Sequence, residues 1–326
     1  MTDDVRKTGD LQKTISIALL VAGEPPKKTA EKIGGGFDIM FRNTLAEALS
    51  KIPRHEWHPK VSLHIQAFNV QEAEFPDLAQ LDDGLWDAII VTGSANSALD
   101  ENVVWIEVLS KYLVHLVHEH PLVRIIGVGF GHQLIARAFG GQVVHDQAHA
   151  ELGVTQFHLT EEGTNLLSPF DRDTEWGLEQ VHIDRVAQMP PPVEGDPWIC
   201  IGGNEACEIQ GMVLHYPSEA PPLPSTVKTS SYVAFDVDDS TTGSAGPLAI
   251  RNAHILTLQG HPEYNALVTK DLLTVLHESR TIDDQAFEKG YADATLEQRG
   301  HDTSKIVLGM LGVEPAIGEL DPMSLT

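Results

Sequence analysis

The stretch Arg124-Ile125-Ile126-Gly127-Val128-Gly129-Phe130-Gly131-His132-Gln133 holds the pattern in this chain best suited to chemistry. A mostly apolar run over residues 122–128 reads as a buried parallel strand. It breaks at glycines straight into a helical pattern, Leu134, Ile135, Ala138 and Phe139, which Gly140-Gly141 closes. A strand that turns at once into a helix thrusts its apex residue out above the sheet and aims the following backbone N–H groups at whatever binds there. That is the geometry of a nucleophile elbow. The other reactive side chains are less organised. Cys200 and Cys207 are the two cysteines and form no pair of C-x-x-C motifs, and the histidines show no H-x-x-x-H spacing on a helix, so neither a metal nor a cofactor is expected.

The stretch resembles the elbow of the class I glutamine amidotransferases, written G-x-C-x-G-H-Q. Gly127, Gly131, His132 and Gln133 are in register, and Gly129 stands where the family carries its cysteine nucleophile. A second family signature, Gly260-His261-Pro262-Glu263, follows the apolar strand at 255–258 and comes in the family's order. The resemblance covers roughly residues 13–283 and is to stand-alone domains of the γ-glutamyl hydrolase type. It implies that His261 is the general base, oriented by Glu263. The oxyanion donors would be the backbone N–H groups of Phe130 and Gly93. Gln133 would contact substrate, and His132 would pack against the neighbouring strand. His182-Ile183-Asp184 matches the family's His-x-Asp near the amino-acid end of the substrate, with Ile183 reshaping a pocket where several members carry glycine. Glu151-Leu152-Gly153 matches a recurrent Glu-x-Gly, and Cys207 falls where a structural cysteine is common. Ser94, also a substrate-binding candidate, and Ser97 lie on the loop beside the hole and are the side chains weighed as substitute nucleophiles.

These residues need a scaffold, and the remaining pattern supplies one. Strands are expected at 15–21, 61–68 and 85–91, the last ending in Thr92-Gly93-Ser94. A loop from Pro25-Pro26 to Gly34-Gly35-Gly36 precedes a helix with Phe37, Met40, Phe41 and Leu45 on one face, and a long helix spans 102–119. Residues 141–157 look like the family's two-stranded excursion. Further on come a strand at 209–212, a helix at 266–277 and amphipathic helices at 282–299 and 304–311. Strands alternating with helices predict an α/β fold: an open, mainly parallel sheet with helices on both faces, flavodoxin-like, with ligand chemistry at the strands' carboxyl ends. The expected organisation is a polar tail at 1–13, the amidotransferase-like domain at 14–283 and a helical extension at 284–326. An insertion at 216–247, rich in Pro, Ser, Gly and acidic residues, reads as a surface loop or a lid over the strand that delivers His261.

Lys+Arg 22 against Asp+Glu 47 gives a net charge of −25 over 326 residues, which repels phosphate backbones and anionic lipid. The expected partner is a small-molecule substrate, not nucleic acid or membrane; homodimerisation is left open. With no signal-peptide core in the first residues and no apolar run of ~18, the expectation is a soluble cytoplasmic protein.

Three functional readings follow. In the favoured one, Gly129 is a natural substitution that relieves strained backbone and opens space beside His261 for a bulkier ligand. His261 and Glu263 then do acid–base work on a small carbonyl metabolite, of isomerase, cyclase or lyase type, in biosynthesis. The alternatives are a metabolite-binding pseudoenzyme and a Cys-dependent γ-glutamyl amide hydrolase whose nucleophile has been exchanged for Gly129.

Overall fold

A computed structural model describes residues 12–54, 58–167, 174–223 and 249–316. The chain opens with β1 (Gln12–Val21), α1 (Lys27–Ile33), α2 (Phe37–Lys51), β2 (Lys60–Asn69), α3 (Leu78–Asp82) and β3 (Ala88–Val91). It continues with α4 (Val104–Glu119), β4 (Arg124–Val128), α5 (Phe130–Ala138), β5 (Gln142–His145), β6 (Glu151–Leu159), α6 (Glu161–Leu167), β7 (Glu175–His182), β8 (Asp184–Gln188) and β9 (Ile199–Gly203). It closes with β10 (Gly211–His215), β11 (Ala253–Leu258), α7 (Ala266–Glu278), α8 (Asp284–Asp293) and α9 (Gly300–Met310).

Nine strands form one sheet in the order β2-β1-β3-β4-β11-β10-β9-β6-β7. From β2 to β11 every neighbouring pair is parallel, and from β11 to β7 every pair is antiparallel. The inner parallel strands β3, β4 and β11 are buried along their whole length, as strands covered by helices on both sides must be, while the edge strand β2 keeps exposed residues such as His64 and Gln66. Alternate side chains of β1 show this directly. Ile15, Ile17 and Leu19 enter a core with Phe41 and Leu45 of α2 and Ile306 and Met310 of α9. Ala18 and Leu20 enter a core with Leu109 and Leu113 of α4 and Leu134 of α5. The expected α/β sheet with helices on both faces is therefore present.

Several local expectations are corrected. The Pro/Gly loop before α2 contains a short helix, α1, started by Pro26 and stopped by Gly34 in the left-handed conformation (φ 82°). The two-stranded excursion is not a hairpin: β5 pairs with β8 in a separate small sheet, while β6 joins the main sheet beside β7 and β9. The helix expected over 282–299 ends at Asp293. Helices α8 and α9 pack into the body: Ile306, Leu308 and Met310 belong to the core of β1, and Gly290 of α8 lies against Leu152 of β6. The tail to residue 11 and residues 224–248 of the insertion lie outside the described residues, and with the latter the proposed lid.

Candidate functional site

The elbow is the junction of β4 and α5. Gly129 caps α5 with φ 57° and ψ −110°, a region costing a side-chain-bearing residue about 1–3 kcal/mol and open to glycine. Its N–H donates to the Leu258 carbonyl at 2.9 Å, tying the apex to the end of β11. One step on, a Cβ at Gly131 would lie 2.5 Å from the Val91 carbonyl oxygen, so only glycine lets α5 seat this closely on β3. The first N–H groups of a helix have no carbonyl one turn back, which leaves that of Phe130 pointing out of the end of α5. Gly93 follows β3 on the neighbouring strand end.

His261 arrives from β11. Its N–H donates to the Glu179 carbonyl of β7 at 2.9 Å. Its Nδ1 lies 2.9 Å from Glu263 Oε1; both residues are buried, and a hydrogen bond donated by Nδ1–H to that carboxylate leaves the Nε2 lone pair available. The imidazole stacks on the Tyr264 ring (centroids 3.9 Å, planes 6° apart), and Tyr264 stacks on Phe37 (6.2 Å, 10°). The imidazole leans directly over the elbow. A Cβ on Gly129 would stand 2.6 Å from His261 Cε1 and 2.7 Å from Nε2, and one on Gly93 would stand 2.9 Å from Cε1. The space expected for a bulkier ligand at Gly129 is thus filled by the imidazole itself. What the glycine permits is this approach of His261.

A second histidine–carboxylate pair lies across the cavity. His182 Nε2 is 2.9 Å from Glu151 Oε2, and its Nδ1 is 3.0 Å from the Asp184 carbonyl oxygen. Glu151 also accepts hydrogen bonds from Asn204 Nδ2 and Gln210 Nε2. Asp184 places one carboxylate oxygen 2.7 Å from His145 Nδ1, and the other accepts from the Ser97 hydroxyl. Gln133 Nε2 donates to the Asp184 carbonyl (2.7 Å) and to Gln259 Oε1 (3.1 Å). Ser94 donates its hydroxyl to the Ala22 carbonyl at 2.7 Å, so both serines weighed as nucleophiles are occupied in holding loops. His132 is fully buried 2.8 Å from Thr257 Oγ1 of β11, and burial lowers its pKa to about 3, leaving it neutral. Burial pushes the Cys207 thiol up to about 12, far from thiolate chemistry.

A cavity of about 500 Å³ joins these parts. Of the residues singled out from the sequence, Gly93, Ser94, Gly129, Phe130, Gln133, His182, Ile183, Asp184 and His261 line it; Glu263 stands behind His261 and off the wall. Its apolar side was not foreseen: Phe37, Tyr264, and Leu272, Val275 and Leu276 from one face of α7. Tyr264 was adjacent to a recognised motif and could have been flagged by position; the α7 face looks like any core stripe. Among the described residues no group of three or more His, Cys, Asp or Glu is placed to hold a metal, and no helix is long and apolar enough to cross a membrane. The arrangement can move a proton at Nε2 next to backbone donors. It has no thiol to attack with.

No family model matches the chain. It is similar to a glutamine amidotransferase-like protein of Schizosaccharomyces pombe, 24% identical over 277 residues that span 84% of this chain and 89% of the relative. It is also similar to gamma-glutamyl peptidase 2 of Arabidopsis thaliana, 23% identical over 68% of this chain and 71% of the relative. Among solved structures, a glutamine amidotransferase from Thermotoga maritima superimposes with a TM-score of 0.54 at 12% identity, covering 92% of this chain and 99% of that one, which establishes a shared fold.

Proposed function

We propose that this glutamine amidotransferase-like protein works by acid–base chemistry on a small carbonyl metabolite, as an isomerase, cyclase or lyase. The observation that carries the reading is the seat of His261. Its Nδ1 side is held by Glu263, its face by Tyr264, and its Nε2 edge lies over an elbow that bears no side chain. A ligand carbonyl oxygen would take hydrogen bonds from the Phe130 and Gly93 N–H groups, and its α-carbon would face Nε2. An enolate is then stabilised where the relatives' fold would stabilise a tetrahedral adduct. Gln133 and the His182–Asp184 loop would orient the rest of the ligand, and the apolar face of α7 would cover it.

The test is a deletion strain compared with its parent by untargeted metabolite profiling, then complemented with variants. His261→Ala is expected to abolish the missing conversion, and Glu263→Ala to weaken it, with both proteins folded. Full complementation by His261→Ala would turn the reading to a binding protein. Ammonia release from glutamine is expected to be undetectable; release at enzymic rates would sink the proposal outright.

The likeness to an Arabidopsis gamma-glutamyl peptidase favours a second reading, hydrolysis of a γ-glutamyl bond, once a thiol is supplied. Gly129→Cys is the direct probe. Its Cβ needs the imidazole to withdraw, because the two would otherwise stand 2.6 Å apart. Restored amide hydrolysis would favour this reading, and a folded but silent variant would favour the first.

A further inference from the structure

We infer that Tyr264 is a catalytic residue, its hydroxyl donating the one side-chain hydrogen bond to the ligand oxygen seated beside Gly93. The inference rests on the carbonyl reading above for the kind of oxygen bound, but it does not need His261 to move a proton.

Tyr264 is 5% exposed and lines the cavity. Its ring lies near-parallel to the His261 imidazole at 3.9 Å and to the Phe37 ring at 6.2 Å. The hydroxyl lies at the loop after β3, 3.5 Å from the point where a Cβ would stand on Gly93. Gly93 is also the residue that His261 Cε1 approaches, so base, hydroxyl and backbone donor converge on one glycine. Among the described residues the Tyr264 hydroxyl has no hydrogen-bond partner, so its donor is unspent in a nearly closed site. Burial, with the Glu263 carboxylate nearby, holds its pKa well above the ordinary tyrosine value. The hydroxyl therefore stays protonated and keeps its proton available to donate. A neutral donor aimed at a developing oxyanion in a site shielded from water is worth far more than in bulk solvent. If Tyr264 served only to stack on His261, phenylalanine would do the same work.

The experiment uses the whole protein and 4-nitrophenol, whose ionised form is seen by its absorbance and whose phenolate oxygen mimics an enolate. The wild type is expected to bind the phenolate, and Tyr264→Phe to bind it about ten- to a hundredfold more weakly with unchanged melting temperature. The same Tyr264→Phe loss is expected in a His261→Gln background; that result separates the donor role from the acid–base reading, which stands or falls on complementation. Should Tyr264→Phe fold poorly, the wild type alone decides: a downfield hydroxyl proton resonance must appear when the probe is added. Binding by Tyr264→Phe within twofold of the wild type, no binding by the wild type, or no such resonance would each overturn the inference.

Discussion

Two histidine–carboxylate pairs face one cavity, and they are almost the same in the usual descriptors. His261 with Glu263 and His182 with Glu151 are each joined at 2.9 Å, and all four residues are buried. The difference lies in the second ring nitrogen. In His182 it is used on the Asp184 carbonyl, so the ring ties β7 to β6 and β8, and Glu151 is further engaged by Asn204 and Gln210 from outside those strands. In His261 the second nitrogen has no protein partner among the described residues and lies over Gly129. Burial and a carboxylate partner are thus insufficient to mark a base. An uncommitted nitrogen at an open backbone position is the better criterion.

The largest effect expected from this contrast concerns activity. His261→Ala should cost about 10²–10⁴-fold in the native conversion with little change in melting temperature. His182→Ala should instead lower stability first; equal and purely catalytic losses from the two would erase the distinction.

Next in size is the structural pair. Glu151→Ala leaves His182, Asn204 and Gln210 without their shared acceptor in a buried setting, and a loss on the order of 3 kcal/mol is expected from denaturant titration. Glu263→Ala removes the acceptor of one group, His261 Nδ1, and should cost clearly less stability than that.

Glu179, whose carbonyl holds the His261 N–H, offers a pH test between the two pairs. Its buried carboxyl is raised from 4.5 to about 7 by desolvation, with Oε2 unpartnered. Because the folded-state pKa lies above the unfolded one, the folded protein binds more protons between these values. The stabilisation is complete below about pH 4.5 and is lost as pH rises through about 7. Glu179→Gln should flatten that part of the stability curve and raise stability near pH 8 by on the order of 1–3 kcal/mol. An unchanged pH slope would refute it.

The smallest effect is at the elbow. Gly129→Ala should cost about 1–2 kcal/mol from positive φ alone, and its Cβ should push the imidazole off the apex, visible in a crystal structure of the variant. An unmoved His261 would show that the absence of a side chain at residue 129 does not set the position of the imidazole.

The sequence by itself determined the parts whose physics is local. Glycines at 127, 129 and 131 between an apolar strand and a helical stripe specify an elbow because only glycine accepts the backbone and the close packing found there. The alternating strands and helices specify a layered α/β fold for similar reasons of periodicity. Motif order placed His261 after the elbow, and the identity of residue 129 already leaves the apex without a side chain. Tertiary structure alone decided how these parts meet. It laid the imidazole over Gly129, stacked Tyr264 on Phe37 from more than 200 positions away, and turned one face of α7 into a cavity wall. It also paired β5 with β8 across about 40 residues and gave His182 its second bond. Contacts between segments so far apart follow from packing of the whole chain, and no local spacing encodes them.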